Sequence, residues 1–284
     1  MLAVTCNAKE TIKIVMPFAA GGFADPIGRK MEKYINDNYP NLDVVLLFRP
    51  GGEGVVGLND FLADNSKYTL YFSASILNKA AEAESIAPTV KKLVPVIHVT
   101  SFGGALVTGK NSNIKTWQEL TNETKRRVVN IGVVNTTLKQ MGEELFRGNP
   151  NVTIVAYPGE TPAMAGLLSN SIDGLILTKS GYLSLAVQHG VNPIAVSGDK
   201  PMNGIPPVTQ FGFSESLGTQ WFGLFAKPGT SSEDVQFLNK IFAAAIKDPD
   251  MTEWLKSKEL VIPKNTTVKG FEKIFNDDVK RLLK

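Results

Sequence analysis

The chain has 284 residues, with 30 Lys and Arg against 27 Asp and Glu, a formal net charge of +3, and is 43% apolar. At about 150 residues per domain this length predicts two domains whose cores need no metal or disulfide staple. The composition excludes intrinsic disorder, the single cysteine, Cys6, excludes an internal disulfide or a cysteine-based zinc site, and so small a charge gives no electrostatic footprint for nucleic acid.

The stretch before Cys6 is shorter than the roughly 7–15 apolar residues of a secretory core. Two readings remain open: a cytosolic protein, or a mature exported chain in which Cys6 is a candidate lipid anchor. Residues 93–109 are interrupted by Pro95, His98, Gly103 and Gly104, and residues 180–198 by Gln188, His189, Gly190, Asn192 and Pro193. Neither is the run of about 20 apolar residues that a spanning helix needs, so the chain reads as soluble.

In chain order, residues 11–16 form a short β-branched strand running into Pro17-Phe18-Ala19-Ala20-Gly21-Gly22. Asp25-Pro26 then opens a helix, with Asp25 as N-cap and Pro26 at the first helical position. Ile27, Met31, Tyr34 and Ile35 fall near one face, the stripe of a helix that covers a sheet. Residues 44–48 read as a second strand, 50–54 as a glycine turn, 55–63 as a helix, and 68–72 as a third strand ending in Ser73-Ala74-Ser75. This βαβαβ order predicts a parallel, doubly wound sheet.

The middle of the chain repeats the rhythm. Residues 128–133 are a strand, Asn135-Thr136-Thr137 a cap, and 138–146 a helix. Residues 152–156 are a strand, and Tyr157-Pro158-Gly159-Glu160-Thr161 turns into a helix that Pro162 can start. Short strands follow at 174–177 and at 194–196, before Pro206-Pro207 breaks the pattern. Ser231-Ser232-Glu233-Asp234 is a capping signal ahead of Val235, Leu238, Phe242 and Ala245 at helical spacing. Phe271, Phe275, Val279 and Leu282 mark a last amphipathic helix.

Gly52-Glu53-Gly54-Val55-Val56-Gly57 fits G-x-G-x-x-G. Its turn is the second βα connection rather than the first, and the following strand ends in Ser73 without the ribose-binding acid. A tight structural turn is the better reading. Ser112-Asn113-Ile114-Lys115 and Ser197-Gly198-Asp199-Lys200 match S-x-x-K but lack its companion motifs. His98 and His189 have no neighbouring nucleophile or carboxylate and read as hydrogen-bonded or exposed residues. Lys125-Arg126-Arg127 reads as a solvated helix end, and no His, Asp or Glu cluster has metal spacing.

What remains are polar or glycine-bearing loops at strand carboxyl ends: residues 19–25, 73–75, 135–137 and 157–161. Open α/β sheets bind ligands there, and helix N-termini at such loops favour carboxylate or phosphate. The residues therefore point to a small-anion binder without catalytic machinery.

A resemblance sharpens this. Pro17 to Asp25 with Arg29, and Arg49-Pro50-Gly51-Gly52-Glu53-Gly54-Val55-Val56-Gly57, are similar to the substrate-binding proteins of tripartite tricarboxylate transporters, the Bug family. So are Glu143 to Phe146, Tyr157-Pro158-Gly159 with Pro162-Ala163, Pro206-Pro207-Val208-Thr209, and Trp221 to Thr230. The resemblance implies a two-lobed periplasmic binding protein (Venus flytrap) in which each lobe is a doubly wound α/β sheet flanked by helices. Lobe 1 would be residues 1–102 with 214–284, and lobe 2 residues 103–213.

It implies a periplasmic, monomeric, non-enzymatic protein without cofactor or metal. Such a protein holds a small organic carboxylate in the cleft and delivers it to membrane permease subunits. Docking on a receptor as a sensor, or an enzymatic role, are the alternatives. The ligand-binding residues so implied are Phe18, Ala20, Gly21, Gly22, Phe23, Ala24 and Asp25 in the first loop, with Ser73 and Ser75. On the second lobe they are Asn135, Thr136, Thr137, Tyr157, Pro158, Gly159, Thr161 and Thr178. Ala24 stands where the family carries a hydroxyl, Phe23 adds a ring, and Val134-Asn135 lacks the usual glycines. These departures point away from a dicarboxylate, toward a less polar or aromatic acid.

Overall fold

A computed structural model describes residues 9–22, 24–75 and 86–282. The chain divides into two compact units, Met1–Ser101 with Trp221–Lys284, and Phe102–Gln220. Cys6 and Phe23, both singled out from the sequence, lie outside the described residues. Among the described residues no helix is long and apolar enough to cross a membrane.

The first unit starts with β1 (Glu10–Met16), α1 (Asp25–Asn38), β2 (Leu42–Phe48), α2 (Val55–Ala63) and β3 (Tyr68–Ala74). After α3 (Ala87–Val90) comes β4 (Val94–Phe102), whose last residue belongs to the other unit. The sheet order is β2-β1-β3-β10-β4, with β10 at Gln220–Ala226. The β1 pairings to β2 and β3 are parallel, as the βαβαβ order predicts, but β10 runs antiparallel to β3. The sheet is therefore mixed, because its fourth strand arrives from the far end of the chain. Val15, Leu58, Phe61, Tyr71, Trp221, Phe225 and Phe271 build one core cluster against it.

The second unit contains β5 (Gly104–Thr108), α4 (Trp117–Glu123), β6 (Val129–Val133), α5 (Thr136–Leu145), β7 (Val152–Ala156), α6 (Glu160–Leu168), β8 (Gly174–Thr178) and β9 (Asn192–Val196). The order is β7-β6-β8-β5-β9. Pairs β6/β7 and β6/β8 are parallel, while β5 is antiparallel to both β8 and β9. Alternate residues of β5 serve separate clusters: Leu106 packs with Ile131, Met141 and Ile176, whereas Ala105 and Val107 pack with Met164, Leu175 and Leu177. Side chains of a strand alternate between sheet faces, so both faces of this sheet are covered, as the near-continuous apolar runs require.

The chain ends in the first unit with α7 (Ser232–Lys247), α8 (Pro249–Ser257) and α9 (Val268–Leu282). Ser231 caps α7 by accepting from the Asp234 N–H at 3.1 Å, as its sequence signal predicts.

Candidate functional site

In the first unit the candidate loop leaves β1 through a buried Pro17. Phe18 is half-buried, edge-on to Phe72 at 6.0 Å and to Phe222 at 5.5 Å between ring centroids. Gly22 N–H donates to Ala19 O at 3.1 Å, and Gly21 takes φ 78°, a backbone state that suits glycine. Ala20 and Gly21 face solvent, whereas Ala24 is buried. An alanine methyl fills that buried position without a polar group to satisfy.

Asp25 corrects one expectation. The N-cap of α1 is Ala24, which makes no side-chain cap, and Asp25 is the first helical residue. Its buried carboxylate instead accepts the Gly21 N–H through Oδ2 at 2.6 Å. Arg29 Nε stands 2.7 Å from Oδ1, yet that oxygen accepts no aligned hydrogen bond, so the contact is an ion pair only. Asp25 thus closes the loop onto its own helix. Asp25→Ala removes the charged acceptor that holds the Gly21 N–H and is expected to cost about 1–2 kcal/mol, read by urea denaturation; an unchanged midpoint would remove this role.

Beside this loop, β3 runs further than the sequence suggests. Ser73 is inside the strand, 1% exposed, and donates to Ala74 O at 3.3 Å, so it is not a loop residue. Ser75 occupies the turn; its N–H donates to Trp221 O at 3.2 Å, and its buried Oγ has no partner among the described residues. The G-x-G-x-x-G glycines are explained by backbone and packing. Gly52 and Gly54 have φ 54° and 106°, and a Cβ on Gly57 would stand 3.0 Å from both Arg49 O and Pro17 Cβ. Tyr71 Oη donates to Gly54 O at 2.8 Å and fixes that turn from beneath.

In the second unit the carboxyl ends of β6, β7 and β8 lie side by side. Asn135 is the N-cap of α5, its Oδ1 accepting from Leu138 N at 2.9 Å. Thr136 and Thr137 are already helical, so the helix starts two residues before the expected 138. They are its first two residues, whose N–H groups lack partners within the helix. Likewise α6 starts at Glu160, with Gly159 (φ 150°) as N-cap and Pro162 two residues in. Pro158 and Thr161 are exposed at this turn.

Tyr157 is a packing residue. A Cβ on Gly166 would lie 2.5 Å from its phenol oxygen, and one on Gly132 3.4 Å from its ring. The ring therefore fills the space those two glycines leave beneath α6. Thr178 is committed as well: its N–H and Oγ1–H both donate to Glu160 Oε1, at 2.9 and 2.7 Å, and its Oγ1 accepts from Gly181 N at 2.9 Å.

Lys179 and Gly103 carry no sequence signal of a role at this edge, and Ser197 carries only an unaccompanied S-x-x-K match. Lys179 N–H donates to Gly103 O at 2.8 Å, and Ser197 Oγ accepts from Gly104 N at 3.0 Å. A Cβ on Gly103 would fall 1.8 Å from Ser197 Oγ and 3.2 Å from Lys179 Cε. The Lys179 ammonium lies 3.9 Å from the position a Cβ on Gly198 would take. The antiparallel β5 and β9 bring these segments to the end of β8, a pairing that local sequence does not reveal.

At the other edge of this unit a recess of about 620 Å³ is lined by residues including Ser112, Glu119, Glu123, Arg127 and Asp173. Several of its charges are paired. Arg127 Nε and Nη2 bind Glu123 Oε1 and Asp173 Oδ1, each at 2.7 Å, and Glu119 Oε2 accepts from Lys115 N at 2.8 Å. Lys125, Arg126 and Arg127 are exposed after the end of α4, as the sequence reading expects, with Arg127 also paired to two carboxylates. Among the described residues no His, Cys, Asp or Glu group could hold a metal.

The family described as "Tripartite tricarboxylate transporter family receptor" matches residues 41–284. The chain belongs to that family. The receptor is 26% identical over 260 residues to protein BugT of Bordetella pertussis, covering 85% of this chain and 78% of the relative. In structure it is similar to a TctC solute-binding protein from Polaromonas, with a TM-score of 0.83 at 18% identity over 96% of each chain. It is also similar to MatC from Rhodopseudomonas palustris, solved with bound malate, with a TM-score of 0.71 at 17% identity over 96% of this chain and 97% of that one. The receptor therefore has the two-lobed periplasmic binding protein fold, with a mixed sheet flanked by helices in each unit.

Proposed function

We propose that the receptor binds a small organic carboxylate at the carboxyl-edge loops described above and passes it, unaltered, to the membrane permease subunits of a tripartite transporter. It works as a monomer in the periplasm. The observation that carries this reading is the match of residues 41–284 to a receptor family. The chemistry of the loops supports it. A helix N-terminus whose first N–H groups lack partners within the helix stands at Thr136, and such a terminus favours anions.

The acidic side chains nearest those loops support binding rather than turnover. Asp25 holds Gly21, and Glu160 holds Thr178. The ligand-binding set comprises Phe18, Ala20, Gly21 and Gly22 with Ser75 in the first unit, and Asn135, Thr136, Thr137, Gly159 and Thr161 in the second. Asp25, Tyr157 and Thr178 act through the backbone they fix. MatC binds malate, a small carboxylate of the class proposed here.

The test is a thermal-shift and calorimetric screen of the purified receptor against mono-, di- and tricarboxylates and aromatic acids, with NAD and ATP as controls. A ligand at a hundred times its Kd adds about 2.7 kcal/mol, so one class of carboxylate is expected to raise the melting temperature clearly. A response to nucleotide alone, or consumption of a bound acid, overturns the reading.

A further inference from the structure

Glu160 is a carboxylate in a part of the fold that would otherwise attract anions. It is the first residue of the nine-residue helix α6, at the end where the helix dipole is positive. Its Oε1 takes both Thr178 donors, at 2.9 and 2.7 Å. The other oxygen is held over Gly181, where a Cβ would come within 2.1 Å of Oε2. Donors on one side and a bare glycine on the other fix where this negative charge sits. The positive helix end is thereby already served by a carboxylate of the protein itself.

We propose that Glu160 is a charge-selecting residue that limits the ligand to one carboxylate. This rests on the carboxylate-binding reading given above. One acid group is served by the N–H groups of the edge loops. A second acid group reaching the start of α6 meets a fixed like charge, so a neutral or apolar end is admitted there and a carboxylate is rejected. A like charge several ångströms away in a partly desolvated site is worth about tenfold in affinity.

The experiment is isothermal titration calorimetry on the wild-type receptor and on Glu160→Gln, using acids matched in length: hexanoate against adipate, and butyrate against succinate. Glutamine keeps an acceptor oxygen for both Thr178 donors and removes the charge. Wild-type receptor is expected to bind the monoacids at least about tenfold more tightly than their matched diacids. Glu160→Gln should gain about tenfold for the diacids and leave the monoacids nearly unchanged.

A second measurement stands should the variant not fold. Added salt screens a like-charge contact, so wild-type affinity for a diacid relative to its monoacid should rise with ionic strength. Diacids bound as tightly as monoacids, with no gain in the variant or with salt, overturn the charge filter and leave the carboxylate reading intact. Failure of the wild-type receptor to bind any acid overturns both.

Discussion

Gly223→Ala is expected to destabilise the receptor by about 3 kcal/mol, the upper part of the range for overpacking a core. Gly223 lies in β10, one strand in from the edge strand β4. A Cβ there would stand 2.0 Å from Phe271 Cζ, with two more ring carbons at 2.5 and 2.8 Å. The ring has nowhere to go. Phe271 is fully buried and touches Trp221 at 5.3 Å, Phe225 at 5.0 Å and His98 at 5.9 Å between centroids. Interiors this dense do not absorb a methyl without moving backbone. Chemical denaturation of Gly223→Ala, Phe271→Leu and the double variant tests the cause. Leucine vacates the space the new methyl needs, so the two changes should couple by at least about 1 kcal/mol. Additive losses would mean that the strain arises elsewhere.

This contact also shows where sequence reading reaches and where it stops. Trp221-Phe222-Gly223-Leu224-Phe225 is visible as a motif, but nothing local makes it a strand placed between β3 and β4. All seven residues of β10 are buried, so the alternation that marks a half-exposed strand is absent. Residues 93–109 are hidden for the same reason. They form β4 and β5, separated only by Gly103, and a continuous apolar run does not announce a strand boundary. By contrast β7 and α2 are read with both ends correct, because a β-branched run or a glycine turn bounds each. Helix α4 was within reach: Thr116 caps it by accepting from Glu119 N at 3.2 Å, the T-x-x-E signal of a capping box.

The candidate site divides the same way. Loops at strand ends and helix starts are local features, so Asn135, Thr136, Thr137 and Gly159 are legible. The roles of side chains are not, because they depend on neighbours distant in sequence. Asp25 is recognisable as a loop-closing acid, but its acceptor role toward Gly21 follows from the backbone path. Tyr157 reads equally as a donor or as a packing residue, and only Gly132 and Gly166, distant in sequence from it, provide the space its ring fills. Glu160 reads as a helix-start acid, and only the register of β8 beside β6 puts Thr178 against it.

Acid is expected to remove about 3 kcal/mol of stability between pH 6.5 and pH 4 through one residue, His98. Burial is the first cause holding its pKa down, from 6.5 to about 4. The ring is 6% exposed, stacked on Phe271, with Nε2 2.8 Å from Ser101 Oγ. Since the folded pKa lies below the unfolded one, the unfolded chain binds a proton in this window and the folded chain does not. The contribution is complete above pH 6.5 and is lost as pH falls toward 4, at about 1.4 kcal/mol per pH unit. Asp64 does not confound the window. The Lys13 side chain, 2.8 Å away, holds its carboxyl well below the usual range, and what it contributes is lost only below its ordinary value of 3.8. Urea denaturation at half-unit steps of pH reads the slope. His98→Leu with Ser101→Ala replaces the pair by apolar groups, so the wild type should lose stability relative to the variant from pH 6.5 to 4, while Glu32, whose carboxyl burial pushes up, acts equally in both. Parallel curves for the two proteins would show that the imidazole is already charged in the fold, and would place the acid sensitivity outside this core.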